Sequence, residues 1–338
     1  MSTVLVTGGA GFIGAHTCAR LIREGHEVVV LDPLRYPASL EEPERSSLRY
    51  RREELLRGAL SVAASTADKA ATLRVLREIG PCSIVHLGAS PLAPDALEQG
   101  ERAFESIVRG TLNILLAARE VGTVEKLVYV SSSMVYGDFR SEPQREEAET
   151  SPKDVYGALK LAAETLVKVF ARLGGFTYMI VRPTAVYGPT DVNGRIVQRV
   201  VDAALLGRPL RLVNPTTTRL DFTYVEDVAE GLLLALDSPV VDETFNVSAG
   251  RARSLVELYE LVRERLPGVE ADVVEAPEDF RPRRGTLDIA KARDLLGYEP
   301  RHQLESGIDA YLAFARRMSE ESAEASTTAS SPGARQRW

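Results

Sequence analysis

Cysteine and histidine are scarce in this chain, and each scarcity removes a class of function. The two cysteines, Cys18 and Cys82, have no paired metal-ligand spacing, so neither a disulfide scaffold nor a zinc cluster is expected, and free thiols fit a reducing compartment. Four histidines in no His/Cys cluster make a catalytic zinc equally unexpected, and no metal is required. Long hydrophobic runs are missing as well. No uncharged apolar stretch approaches the roughly 20 residues that cross a bilayer, and the N-terminus passes straight into Val4-Leu5-Val6 without the basic flank of a signal peptide. Nor is there a surplus of positive charge. With 41 Lys+Arg against 48 Asp+Glu the formal net charge is -7, the wrong sign for a protein whose main partner is a nucleic acid. What is present is an ordinary globular balance, 44% hydrophobic and 26% charged residues over 338 positions, enough for one large domain or two packed ones. The expectation is a cytoplasmic globular protein with no membrane and no nucleic-acid partner.

Short runs of Val, Ile and Leu without polar alternation predict buried strands at Val4–Val6, Val28–Leu31, Ile84–Leu87, Leu127–Val130 and Tyr178–Val181. Helical patterns stand between them at Ala15–Glu24, Thr72–Glu78, Gly110–Glu120 and Val155–Leu173. Such alternation predicts an α/β fold with a doubly wound parallel sheet and helices on both faces. Beyond about Pro183 strands become sparser and Pro and Gly more frequent, with helices predicted at Val225–Leu236 and Leu255–Leu266. The chain is therefore divided into a first domain over 1–182 and a smaller C-terminal α/β lobe over 183–318, partly interleaved with it and set beside the strand ends, where open α/β sheets bind ligands. The polar stretch Pro33–Leu60 reads as an excursion after the second strand, a flap or an edge. Residues 319–338 are low in complexity and read as a disordered tail.

The segment Val4-Leu5-Val6-Thr7-Gly8-Gly9-Ala10-Gly11-Phe12-Ile13-Gly14 runs from a strand through glycines into a helix. Gly8 permits the tight turn, Gly11 lets backbone amides approach a pyrophosphate, and Gly14 lets the helix pack close to the strand. The helix start then turns its partial positive charge toward the phosphates. The next strand ends at Asp32, whose carboxylate can accept both ribose hydroxyls of an adenosine and repels a 2′-phosphate. Strand, turn, helix, strand and acid in that order predict a Rossmann-type domain that binds NAD rather than NADP, with Gly8, Gly11, Phe12, Ile13, Gly14 and Asp32 at the cofactor.

Two further clusters carry chemistry. Tyr156-Gly157-Ala158-Leu159-Lys160 puts a phenol and an ammonium one helical turn apart on the same face. A cation beside a phenol favours the phenolate and lowers a pKa that starts near about 10, which makes a general base for a sugar or alcohol hydroxyl. Upstream, the strand Lys126–Val130 ends in Ser131-Ser132-Ser133, at the sheet edge where ligands gather. A lone Tyr/Lys pair is ordinarily a solvated helix face, and a lone serine triplet a turn or cap. Both together, downstream of a dinucleotide turn, are far more specific.

With these residues the chain resembles the extended short-chain dehydrogenase/reductases, in particular the NAD-dependent nucleotide-sugar epimerase/dehydratase group, from Thr3 to about Tyr311. The resemblance is carried by Thr7–Gly14, Val85-His86-Leu87-Gly88-Ala89, Gly110-Thr111-Leu112-Asn113, Ser131–Gly137, Tyr156–Lys160, Arg182-Pro183 with Val186-Tyr187-Gly188-Pro189, Asp221–Asp227, and Asp288–Lys291 with Leu295–Tyr298. It implies that Tyr156 is the acid/base, that Lys160 holds the nicotinamide ribose and tunes the tyrosine, and that Ser132 hydrogen-bonds the sugar oxygen, with Ser131 and Ser133 one position away as alternatives. It also implies cofactor contacts at Leu87, Gly88 and Ala89, with Ser65 where the family usually has an adenine-reading Asp, and a homodimer paired through two long helices, a part that Gly110–Glu120 and Val155–Leu173 could play. His86 reads as a structural histidine, and Tyr136 and Tyr187 as residues that pack or touch ligand without reacting.

Relatives that remove water or carbon dioxide resemble one another in carrying acids just after the catalytic Ser/Thr. Here those positions are Ser133 and Met134, and neither can move the second proton that elimination needs. The 4-epimerase pattern remains, requiring Ser132, Tyr156, Lys160 and bound NAD, with Met134 beside a keto sugar that turns over freely. The sequence departs from the family at Ile107, Ala185 and Leu220, where Asn, Asn and Arg are usual, with Arg219 one place earlier. Arg195, Arg219, Arg281 and Arg283 lie in loops that by resemblance line a sugar-nucleotide site, where a guanidinium fork suits a diphosphate or a C6 carboxylate. Each is otherwise a solvated surface arginine. Arg195 follows the Tyr187-Gly188-Pro189 loop, in the region where relatives acting on hexuronates place a carboxylate-binding Arg, and that resemblance tilts the reading toward UDP-glucuronate over UDP-glucose. The competing expectations are a UDP-glucose 4-epimerase, an NDP-keto-sugar reductase on the same fold, and a catalytically silent NAD-binding regulator.

Overall fold

A computed structural model of the chain describes residues 2–35, 40, 44–89, 98–276 and 282–329, the side chains of 322–329 excepted. Seven strands lie in parallel in one sheet: β1 (Thr3–Thr7), β2 (Glu27–Asp32), β3 (Leu60–Ala63), β4 (Ser83–His86), β5 (Lys126–Val130), β6 (Thr177–Pro183) and β11 (Glu243–Val247), in the spatial order β11-β6-β5-β4-β1-β2-β3. Four short strands between β6 and β11 stand outside that sheet: β7 (Val186–Tyr187), β8 (Leu210–Val213), β9 (Arg219–Asp221) and β10 (Thr223–Tyr224). Every strand expected from the sequence forms, although Leu87 already lies outside β4.

Alternate residues of each strand feed opposite faces of the sheet. Val4, Val6, Val28 and Val30 pack into one apolar layer with α1 (Phe12–Glu24) and α8 (Val225–Asp237). Leu5, Val29 and Leu31 pack into the other with α3 (Lys69–Ile79), α5 (Gly110–Val121) and α6 (Val155–Gly174). A short helix, α4 (Gly100–Phe104), leads into α5 through a wide helical turn, Glu105–Arg109. Each fully buried apolar side chain of these layers contributes about 1.5–3 kcal/mol. The strand order reverses between β1 and β4, which opens the crevice outside their C-terminal ends where such sheets bind ligands.

The sheet is not completed by the first half of the chain. β11 pairs with β6 in the register Glu243↔Met179 to Val247↔Pro183, and α8 closes one face, so residues beyond 182 supply an edge strand and a covering helix. The rest of the second half has its own apolar core under α7 (Ile196–Leu206), α9 (Leu255–Arg265) and α11 (Leu304–Ala329). Here β8 pairs with β13 (Ala271–Val274), and β9 with β12 (Ala252–Ser254). Ser254 starts α9 with a reciprocal capping box to Glu257.

The excursion after β2 contains α2 (Glu44–Tyr50) and a wide helical turn, Arg51–Leu55. Its Arg51 guanidinium is buried and donates to the carbonyls of Ala10 and Thr190, so the excursion is pinned across the glycine turn. The chain is helical to Ala329, past Ser319 where composition predicts a disordered tail, and the rest of that tail, 330–338, lies outside the described residues. Repeated Glu and Ala are strong helix formers, so low complexity there does not mean coil. Among the described residues no helix is long and apolar enough to cross a membrane.

Candidate functional site

The turn after β1 is closed by backbone contacts that admit no side chain. Gly8 has φ 68°, and its N–H donates to the Leu31 carbonyl at 2.9 Å. A Cβ there would lie 2.9 Å from the Gly88 nitrogen, and one on Gly14 would lie 2.2 Å from the Gly8 carbonyl oxygen. Helix α1 then starts from Gly11 with no side-chain cap and no acidic residue in its first turn, leaving amides at Phe12 and Ile13 for an anion. Asp32 ends β2 beside this turn and accepts N–H bonds from Ala10 (3.3 Å) and Leu34 (2.9 Å). Burial raises its carboxyl pKa, and those two amides oppose the rise. The glycine cradle, the uncapped helix start and a part-exposed acceptor fit a dinucleotide.

The far wall of the turn is Leu87-Gly88-Ala89. Leu87 donates to the Thr7 carbonyl at 3.1 Å and Gly88 to the Thr7 hydroxyl at 3.2 Å. His86 is sealed beneath, its Nδ1 on the Thr7 hydroxyl at 2.5 Å and its Nε2 on the Thr111 hydroxyl at 3.0 Å. Burial pulls its pKa down to about 3, so it is a neutral structural group. Ser65 follows β3, where its hydroxyl oxygen accepts from the Ala67 amide at 3.2 Å and closes the turn into α3.

The serine triplet at the end of β5 divides its tasks. Ser131 donates to Glu164 at 2.5 Å, and Ser133 is buried with no hydrogen-bond partner. Ser132 caps the helical turn Ser133–Tyr136, accepting from the Met134 amide at 3.2 Å. Of the three it is the one beside the Tyr156 phenol, close enough to favour its ionised form. The meeting depends on Gly157, where a Cβ would lie 2.6 Å from the Met134 carbonyl; without a side chain, α6 starts hard against the serine turn. Asp154 caps that helix, accepting from the Gly157 amide at 2.7 Å.

Lys160 is buried one turn along. Its ammonium donates to the Val130 carbonyl at 2.8 Å and lies 5.8 Å from the Tyr156 ring centroid. Burial pulls its pKa down to about 8, opposed by Glu164. Tyr156 corrects the expectation of a lowered phenol: burial pushes it up to about 12, and Arg195, not Lys160, is the cation that opposes this. The Lys160 ammonium is spent on Val130, and burial of a phenolate outweighs it.

Arg195 stands at the start of α7, its guanidinium 5.5 Å from the Phe12 ring centroid and 2.8 Å from Asp191. The cofactor turn, Arg195 and Tyr156 thus come together. Arg219 is elsewhere, exposed on β9 and donating to the Ala252 carbonyl at 2.9 Å. Arg281 lies outside the described residues. Arg283 is exposed, 3.8 Å from Asp138. The segment after the serines is laced to the one that carries Arg283: Phe139 N–H to Arg283 O at 2.8 Å, Gln144 N–H to Thr286 O at 2.9 Å, and Asp288 N–H to Gln144 O at 2.8 Å.

Sequence reasoning missed the network under the triplet. Arg182 forks onto Glu164 at 2.9 and 2.7 Å and donates to the Tyr136 hydroxyl at 2.9 Å, which in turn donates to Asn246 at 2.8 Å. Burial opposes the Arg182 charge, and Glu164 overrides it, holding the guanidinium pKa above its ordinary value. The available signal was an arginine inside the apolar run Tyr178–Pro183 and a glutamate on the buried face of α6. Tyr136 and Tyr187 are both buried, Tyr187 against Gly307.

The sequence model of the NAD dependent epimerase/dehydratase family matches residues 4–248. UDP-glucuronic acid decarboxylase 6 of Arabidopsis thaliana is 33% identical over 318 residues, covering 90% of this chain and 86% of that protein. The crystal structure of the UDP-glucose 4-epimerase of Thermus thermophilus in complex with NAD superposes with a TM-score of 0.81 at 31% identity, covering 93% of this chain and 99% of that one. MoeE5 in complex with UDP-glucuronic acid and NAD gives 0.79 at 27% identity, again covering 93% and 99%.

Proposed function

Because the chain belongs to the NAD-dependent epimerase/dehydratase family, we propose that it inverts C4 of a UDP-hexose or UDP-hexuronate, with UDP-glucuronate to UDP-galacturonate as the leading reaction. Its cofactor is NAD. One observation supports the reading: of the side chains around Ser132, Tyr156 is the one placed to exchange a proton while the nearby acids are already bound. The positions after Ser132 are Ser133 and Met134, Glu164 is bound by Ser131 and Arg182, and Asp154 is bound by the Gly157 amide. A 4-epimerase moves one proton off O4 and returns it, which a single phenol can do, whereas elimination needs a second group.

Bound NAD supplies a hydride acceptor that can return the hydride to either face of C4, together with a positive charge that favours the phenolate. Ser132 holds the O4 hydroxyl toward Tyr156, and Tyr156 takes its proton as the C4–H bond breaks. Lys160, anchored on Val130, fixes the start of α6 beneath the phenol. The keto sugar turns beside Met134, and Tyr156 gives the proton back to O4. Asp32 and the turn from Gly8 to Gly14 hold the adenosine and pyrophosphate. Arg195 supports a C6 carboxylate, since it is a guanidinium whose charge reaches Tyr156, and MoeE5 is a neighbour seen with UDP-glucuronic acid. Exposed Val169 and Leu173 on α6 support pairing of two copies through that helix.

Proton NMR of the protein with UDP-glucuronate and no added reductant tests the reading, and the galacto-configured anomeric signal is expected. The 33%-identical decarboxylase favours a second outcome, loss of carbon dioxide from the same 4-keto acid with protonation at C5 to give a 4-keto pentose, which takes back the hydride at C4 and a proton at O4 to give UDP-xylose, and the same spectrum separates it. Silence with UDP-glucuronate but conversion of UDP-glucose would move the substrate to the neutral sugar; a requirement for stoichiometric NADH would replace epimerase by reductase. Tyr156→Phe is expected to retain NAD and lose about 10²–10⁴-fold in turnover. Near-normal turnover in that variant would sink the acid/base assignment.

A further inference from the structure

The hydrogen bonding of Asp191 is lopsided. One carboxylate oxygen takes the Arg195 guanidinium at 2.8 Å, the Asn193 side-chain amide at 2.9 Å and the Asn193 backbone amide at 3.2 Å. The other oxygen is buried with no hydrogen-bond partner. It belongs to a residue that borders a cavity of about 20 Å³, room for one water, lined also by Glu44, Gln198, Asp202 and Tyr311. The Asp191 side chain is 1% exposed and that of Arg195 24%, so the anion is sealed behind a cation that reaches the cleft. That cation lies over Phe12, at the start of the cofactor helix, and acts on the Tyr156 phenol.

We infer that Asp191 sets the charge Arg195 presents to the reacting sugar, and so determines how strongly an anionic sugar is favoured over a neutral one. The inference rests on the reading above, in which the sugar lies between Tyr156 and NAD. A guanidinium paired with a buried carboxylate presents little net charge at a distance. A sugar carboxylate arriving at Arg195 meets attraction from the guanidinium and repulsion from Asp191 behind it, and the burial of Asp191 leaves that repulsion little screened by water. A C6 hydroxymethyl group feels neither. Arg195 uses one nitrogen on Asp191 and keeps other N–H donors of its planar fork for a second anion. Asp191 is therefore a counter-charge for the sugar site, placed where no substrate atom touches it.

Asparagine at this position separates charge from shape. Its carbonyl oxygen keeps the acceptor that faces Arg195 and Asn193, while its NH₂ takes the place of the partnerless oxygen, beside a cavity bordered by the Glu44 and Asp202 carboxylates. The full chain with bound NAD is titrated calorimetrically with UDP-glucuronate and with UDP-glucose, as wild type, Asp191→Asn, Arg195→Gln and the double variant. Asp191→Asn is expected to raise the ratio of UDP-glucuronate to UDP-glucose affinity about tenfold, and Arg195→Gln to lower it, with the double variant between the two. With whichever sugar is converted, the acid limb of kcat is expected to move to lower pH in Asp191→Asn, because an uncompensated Arg195 favours the phenolate. A merely structural role would lower kcat without moving that limb. An unchanged ratio, with both sugars still bound, overturns the inference and leaves the proposed function standing. Failure of the wild type to bind either sugar overturns the proposed function, and the inference with it.

Discussion

Two buried histidines tie stability to acid. His16 holds the Pro189 carbonyl at 3.0 Å and the Thr190 hydroxyl at 3.3 Å through Nε2, and burial pulls its pKa down to about 4 despite the carbonyl bond. His86 is pulled to about 3. In the unfolded chain both titrate near about 6.5, so below that pH the unfolded state binds more protons and stability falls as pH drops toward 4. Each contributes a slope of about 1.4 kcal/mol per pH unit in that window. Asp221, lifted by burial to about 6, works the other way, since there the native state holds the extra proton. Urea unfolding of wild type and His16→Gln at pH 7 and pH 5 isolates one group: the variant is expected to lose about 1–2 kcal/mol less over that interval. Equal losses would mean that His16 is already charged in the native protein. Of these features, the sequence marks His86 as structural, because it ends a strongly apolar strand. It does not reveal the Tyr156 shift, since burial of a helix's first turn depends on what packs over it.

Among the elements, the turn into α1 is the least tolerant of added atoms. A methyl group on Gly14 would sit 2.2 Å from the Gly8 carbonyl oxygen, so Gly14→Ala must move the helix away from the turn or open the turn itself. Overpacking of this kind costs about 1–3 kcal/mol, and at this place the loss falls on the cofactor. Gly14→Ala is expected to emerge from purification with little NAD, read by ultraviolet absorbance of the released nucleotide, while far-ultraviolet circular dichroism stays near wild type. Full NAD occupancy would contradict the cradle. This element was legible because strand, glycines, helix and Asp32 are neighbours in sequence. The Glu164–Arg182 pair was not, because one partner comes from α6 and the other from β6, and a charge inside an apolar run gains meaning only when its counter-charge is found. The strand β11 was missed for a related reason: in Glu-Thr-Phe-Asn-Val its apolar content is too thin to outweigh the polar residues, two of which serve neighbours, Asn246 in the Tyr136 network and Glu243 in a 2.8 Å bond to Lys291.

At the scale of the whole molecule the two halves share one sheet. Cutting the chain after Arg182 would expose the β6 edge to which β11 pairs and strip α8 from Val128, Val130, Met179 and Val181. A fragment of residues 1–182 is expected to aggregate or to melt without a cooperative transition, by size-exclusion chromatography and thermal circular dichroism. A monomeric fragment with a sharp transition would show that the parallel sheet stands without its last strand. The backbone lacing of Phe139 and Gln144 to Arg283, Thr286 and Asp288 has a consequence of another kind. Where two segments remote in sequence share one ladder, an inserted or deleted residue in either shifts the register of both. Across a genealogy of such proteins, the loop after the serines and the stretch before α10 (Ala290–Leu296) should therefore lengthen and shorten together, leaving paired gaps in an alignment as the trace of a contact that neither segment records alone.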